Sequence, residues 1–110
     1  ACAAHMIAPV QHLGRWHVVY NAVPTDTYTF VPSVPTDAPV AFLGRFDVEK
    51  GAHLAIEAAR RADRRILVAG NVGTQPEYFE RDVKPLFDSD RVTYIGPVDD
   101  RQKNELLGRC

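Results

Sequence analysis

Three short apolar runs, Val40–Leu43, Ile66–Ala69 and Val92–Ile95, recur about 25 residues apart, and a glycine closes each of them: Gly44, Gly70 and Gly96. Runs of this length and residue type read as buried strands. The stretches between them carry helical spacing. Strands alternating with helices at this interval are joined by right-handed crossovers and run parallel. The chain therefore predicts an α/β fold of order β-α-β-α-β-α, half of a Rossmann-like parallel sheet.

The first intervening stretch, Gly51–Ala62, sets Ala55, Ala58, Ala59 and Ala62 at helical spacing, with Leu54 and Ile56 beside them. A stripe of small residues lets a helix lie close on a sheet. Arg60, Arg61, Arg64 and Arg65 gather at its end, where cations complement the helix dipole. In the second stretch, Thr74 and Glu77 fit a capping box with Pro76 in the first turn. Phe79, Val83, Leu86 and Phe87 follow on one face, and Pro85 is expected to end or kink that helix. After the third run, Asp99 with Gln102 three residues on reads as the cap of a last helix ending near Gly108.

Upstream, Ala1–Pro9 is alanine-rich and weakly helical, and His17–Tyr20 reads as a strand. Between Asn21 and Pro39 stand Pro24, Pro32, Pro35 and Pro39, a density that blocks both helix and central strand. This is an extended connector. The organisation expected is 1–20 as the tail of a preceding unit, 21–39 as connector and 40–110 as the half-Rossmann unit.

Ligands of open parallel sheets collect outside the carboxyl ends of the strands, where helix N-termini also point. Arg45 follows the first strand directly, and Lys50 lies five residues on, just before a helix. Arg45 reads either as a surface arginine or, with Lys50, as one of two cations suited to a diphosphate. An arginine fork fixes two oxygens, and a lysine adds a compact charge. Gly44 and Gly70 either end strands or admit a ligand close to the backbone. His5, His12 and His17 fit no compact zinc spacing, so no metal is expected. His53, in the first turn after Lys50, reads as a packing residue.

These segments together resemble the opening of the C-terminal domain of family 4 retaining glycosyltransferases. Val40–Gly51 is similar to that family's apolar strand, Gly-Arg pair, variable loop and Glu-Lys-Gly. Leu67-Val68-Ala69-Gly70 resembles its second strand, and Val92–Asp100 its third strand and loop. Val18–Val23 is similar to the family's Tyr-Asn-Gly-Val crossing, with Ala22 where glycine is usual. The resemblance runs from about Val18 to Gly108, with its segments in order. It implies a GT-B-type fold and a nucleoside-diphosphate-sugar donor, with no metal or other cofactor. It implies that Arg45 and Lys50 grip the donor diphosphate and stabilise the leaving charge. It further implies that Gly44, Gly70, Val98, Asp99, Asp100 and Lys103 border the donor, the last four near the nucleobase. By the same resemblance a Glu-x7-Glu segment meeting the sugar lies beyond Cys110, and an acceptor-binding domain ending at about Tyr20 lies before Ala1. The chain is thus expected to be an internal piece of a longer enzyme, inactive alone, whose acceptor is an unspecified hydroxyl compound. Asp99 reads equally as a plain helix cap.

Two other readings use the same pattern: a non-catalytic nucleotide-binding Rossmann-like module, and a flavodoxin-like interaction domain. The second is disfavoured because no acidic cluster ends the first strand. A net charge of −1 gives no electrostatic case for nucleic acid or an anionic membrane surface. No apolar run approaches the roughly 18 residues that cross a bilayer. Cys2 and Cys110, at opposite ends, read as thiols of a reducing compartment, which places the protein in the cytoplasm.

Overall fold

The computed structural model describes residues 8–110. Its centre is a three-stranded parallel sheet in the order β1 (Val40–Leu43), β2 (Ile66–Ala69), β3 (Val92–Gly96). Val40 pairs with Ile66 and Ile66 with Val92, so the strands enter the sheet level with one another. Each apolar run thus becomes a strand, and the sheet is the α/β arrangement that the spacing predicts. At the far end β2 and β3 slip register, Ala69 pairing with Gly96 and passing over Ile95.

Helix α1 (Ala52–Arg61) follows β1 and buries Ala52, Ile56 and Ala59. Ala55 packs beside them, whereas Ala58, Ala62 and Leu54 are exposed. The inward stripe is therefore rotated from the expected one. A short 3-10 turn, Val48–Lys50, and Gly51 with positive φ precede the helix. After β2, α2 (Pro76–Tyr78) widens into a π-helical turn, Phe79–Val83, and tightens into a 3-10 turn, Lys84–Leu86. Pro85 has no N–H to continue the helix, and the chain leaves extended at Phe87. Phe79 and Val83 are buried and Leu86 and Phe87 pack against the core, so the apolar face survives the irregular winding.

The core is one cluster between this helical layer and one face of the sheet. Phe46, Ile56, Ile66, Val68, Val83 and Val92 are buried within it. Phe46 packs its ring at 5.0 Å from Phe79 and edge-on to Tyr94 at 5.5 Å. Tyr94 in turn stacks on Phe87 at 5.0 Å. Burying Phe46 and the residues around it supplies the main apolar driving force for this half of the molecule.

Two expectations are corrected. His17–Tyr20 forms no strand: these residues are exposed and pair with no strand among the described residues. Thr74 does not cap α2. Gln75 occupies the cap position without a side-chain cap, and Thr74 turns towards Asp47. Arg60, Arg61 and Arg65 at the end of α1 are exposed, and two residues beyond the helix reach back to the connector. Arg64 donates to the carbonyls of Thr36 (2.7 Å) and Ala38, and Arg65 to that of Asp37 (3.2 Å). They pin the connector, which carries Ala38 into a buried position just before β1. The connector otherwise lies outside the sheet as expected. The weak helix expected at Ala1–Pro9 falls mostly outside the described residues, although Ala8–Leu13 forms a 3-10 turn. No helix among the described residues is long and apolar enough to cross a membrane.

Helix α3 (Asp100–Leu107) follows β3 and starts on the capping box read from the sequence. Asp99 Oδ1 accepts from the Gln102 N–H at 2.7 Å, and Gln102 Oε1 accepts from the Asp99 N–H at 2.9 Å. The connector docks on this helix: Asn104 Oδ1 accepts from the Thr29 N–H at 2.8 Å, and its amide reaches Thr29 Oγ1 at 3.3 Å.

Candidate functional site at the carboxyl ends of the strands

Parallel strands that start level also end level, so the loops following them converge on one edge. There Leu43, Gly44 and Arg45 from β1, Ala69, Gly70 and Asn71 from β2, and Pro97, Val98 and Lys103 beyond β3 line a cleft of about 280 Å³. Of the residues singled out in the sequence, Gly44, Arg45, Gly70, Val98 and Lys103 meet here. Lys50, Asp99 and Asp100 are outside its lining.

The cleft is shaped by a close backbone approach. A Cβ on Gly70 would lie 1.8 Å from the Gly44 carbonyl oxygen, and Gly70 holds a positive φ of 153°. Only glycine satisfies both conditions. The Gly70 carbonyl accepts from the Tyr94 hydroxyl at 2.9 Å, which ties the floor of the cleft to the aromatic core. Gly70 thus serves the packing of two loops as well as lining the space between them.

After Gly44 the chain does not turn straight into α1. Phe46 pairs as a parallel bridge with Val72, and its N–H donates to the Asn71 carbonyl at 2.9 Å. This short extension of the sheet buries Phe46 inward and leaves Arg45 outward. The next residue, Asp47, is buried, 1% exposed. Its Oδ1 accepts from the Thr74 N–H at 2.7 Å and from the Thr74 hydroxyl at 3.1 Å. Its Oδ2 stands 3.1 Å from Arg45 Nε. The Thr74 N–H holds this carboxyl below its ordinary value; burial opposes the shift, and the Thr74 hydroxyl, Arg45 and Lys50 assist it. A second cross-link joins the same loops, the Val48 N–H donating to Gln75 Oε1 at 3.0 Å.

Lys50 closes the 3-10 turn, exposed, and its charge acts on Asp47 across that turn. The α1 N-terminus is also spent differently from expectation. The His53 N–H points to the Tyr78 hydroxyl at 3.4 Å, and His53 Nδ1 lies 2.6 Å from the same oxygen. His53 is a packing and hydrogen-bonding residue beside α2, as its position suggested.

The second cation of the cleft is therefore Lys103 rather than Lys50. Its Nζ is 2.7 Å from Asp100 Oδ1 and 3.4 Å from the Tyr28 hydroxyl. Asp100, and after it Tyr28, raise the Lys103 pKa above its ordinary value, so it is charged throughout the neutral range. Arg45 and Lys103 approach from different loops and bracket a cleft walled by backbone and small side chains, an arrangement that suits an anion with an attached flat group.

Sequence reasoning missed three contributors. Asn71 and Pro97 follow strand-closing glycines, and the rule that marked Gly70 could have marked them. Asp47 carries no local signal, because its partner Thr74 lies 27 residues away and comes near only through the parallel register. A larger cleft, about 470 Å³, lies at the opposite end of the sheet against Arg65, Asp90 and Arg109. There Asp37 and Asp90 share the lining with Arg65 and Arg109, whereas among the described residues no carboxylate lines the cleft after the strands. No group of His, Cys, Asp and Glu able to hold a metal occurs among the described residues. His5 and Cys2 lie outside them. Compared with models of known protein families and with curated protein sequences, the chain matches none.

Proposed function

We propose that this chain is the donor-binding half of a retaining, GT-B-type glycosyltransferase, holding a nucleoside-diphosphate sugar whose glycosyl unit passes to an acceptor hydroxyl. The observation that carries the reading is the cleft that Arg45, from the loop after β1, and Lys103, from beyond β3, line together with Gly44 and Gly70. The order of strands, Gly-Arg turn and capped last helix agrees with the sequence resemblance. In this reading Arg45 binds diphosphate oxygens, and its fixed charge stabilises the leaving diphosphate as the glycosidic bond breaks. Lys103 serves the same charge from the opposite wall. Lys50, on the exposed turn, reaches the diphosphate only by extending its side chain. Val98 and the backbone up to Asp100 border the nucleobase, with Asp99 acting as helix cap. In this reading, as in the resemblance, the charge on the diphosphate is met by the two cations rather than by a metal.

Transfer itself belongs to the longer enzyme that this reading places around the chain, and the protein is expected to act away from membranes, in the cytoplasm. Calorimetric titration of the chain with UDP and with GDP tests the binding half of the proposal. Binding of either nucleotide, weakened by Arg45→Ala and unchanged by Arg61→Ala, is the expected result. Absence of binding by both, or equal effects of the two substitutions, overturns it.

A further inference from the structure

Arg45 stands on an exposed loop with its side chain 58% exposed, yet a rigid fork is what diphosphate recognition needs. Its neighbour Asp47 is the reverse, a carboxylate buried beneath the loop. Three features immobilise Asp47. Thr74 donates to Oδ1 twice, from the backbone and the hydroxyl. Phe46, next in the chain, is fully buried. Gly73 closes over the carboxylate so tightly that a Cβ there would lie 2.0 Å from Oδ1. The other oxygen, Oδ2, is buried without an aligned hydrogen-bond donor, and Arg45 Nε at 3.1 Å is its ion-pair partner. The contact uses Nε and leaves the two terminal nitrogens, the fork itself, for a ligand.

We propose that Asp47 is a positioning residue: anchored by Thr74 under Gly73, it clamps Arg45 through Nε and aims the guanidinium fork into the cleft between β1 and β2. The loop 71–75 thereby acts on a ligand that it need not touch, because it fixes the carboxylate that fixes the arginine. The inference rests on the donor-site reading above. Its opposing term is the negative charge of Asp47 near a diphosphate, so the sign of the effect decides between orientation and repulsion.

The test is a double-mutant cycle on the full chain, with UDP and GDP as probes in calorimetry, paired with an NMR readout that needs no ligand. Asp47→Asn keeps an acceptor for Thr74 and removes the charge that holds Nε. It should weaken nucleotide binding about tenfold, the scale of one charge-assisted contact. In an Arg45→Ala background the same change should have no further effect, as expected for a residue that acts through another. The Arg45 Nε–H vector should be ordered by ¹⁵N relaxation in the wild type, held by the ion pair, and mobile in Asp47→Asn. Unchanged or tighter binding by Asp47→Asn overturns the proposal, as does an equal loss in both backgrounds, the mark of a structural role. An Arg45 guanidinium as mobile in the wild type as in Asp47→Asn overturns it without reference to any nucleotide. Should the wild type bind neither nucleotide, the donor-site reading fails and takes this proposal with it, whereas failure of the cycle alone leaves that reading standing. If Asp47→Asn does not fold, Thr74→Val loosens the same carboxylate and enters the same cycle.

Discussion

Arg45 and Gly70 show how differently two site residues depend on their surroundings. Arg45 packs little, so Arg45→Ala should keep the fold but lower its stability, because it leaves the buried Asp47 Oδ2 without its ion-pair partner. It should cost about 1.5–3 kcal/mol in nucleotide affinity, and in the complete enzyme lower turnover with it. Urea unfolding beside calorimetry separates the two effects. Gly70→Ala should instead destabilise the fold, because its Cβ meets the Gly44 carbonyl and its φ is unfavourable for alanine. Its midpoint in urea should fall markedly, and a wild-type midpoint would refute the close approach. Asp47 predicts the pH behaviour. Its pKa is lower folded than unfolded, so it adds stability that is fully present above the ordinary carboxylate value of 3.8 and is lost as pH falls through the lower folded value. Acid unfolding of Asp47→Asn should be less steep over that interval. Arg45 and Gly70 were legible from their places after strands. Asp47 was not, since its meaning lies in a contact with Thr74 that no local pattern announces.

At the scale of elements, the strands closed by glycine were the most readable because short apolar runs so ended have few other solutions, whereas His17–Tyr20, with no such glycine, forms none. The helices were readable in place but not in phase. In α1 the side bearing Ala52, Ile56 and Ala59 meets the core and leaves Ala58 and Ala62 outward, and alanine spacing alone does not say which side of the helix meets the sheet. Thr74 looked like a cap because capping depends on local spacing, and a buried carboxylate outbid the helix end for its hydroxyl. Asp99 kept its cap because no such rival is near. Asp99→Ala should therefore cost about 1 kcal/mol of stability in chemical denaturation, with α3 fraying first by hydrogen exchange. An unchanged stability would mean that α3 is held by Leu106 and the connector alone. Asp88 deserves comparison, for its Oδ1 accepts from the N–H groups of Asp90, Arg91 and Val92 and so sets the entry to β3. The Val92 N–H first, then the others and Arg60 against the opposing effect of burial, hold its carboxyl below the ordinary range, giving it the same acid dependence as Asp47.

For the whole molecule, the parallel sheet follows from strand spacing, and the cleft follows from the sheet, since level strands deliver their loops to one edge. What spacing could not convey is which cation turns inward: Lys103 lines the cleft, and Lys50 sits on a turn beside it. The central claim is that this edge, and not the larger cleft at the other end, holds a nucleoside diphosphate. Amide chemical-shift mapping of the labelled chain during titration with UDP and GDP tests it most directly. The account predicts saturable shifts at Gly44, Arg45, Gly70, Asn71, Val98 and Lys103, absent in Arg45→Ala. Shifts clustered instead at Arg65, Asp90 and Arg109, or none with either nucleotide, would contradict it.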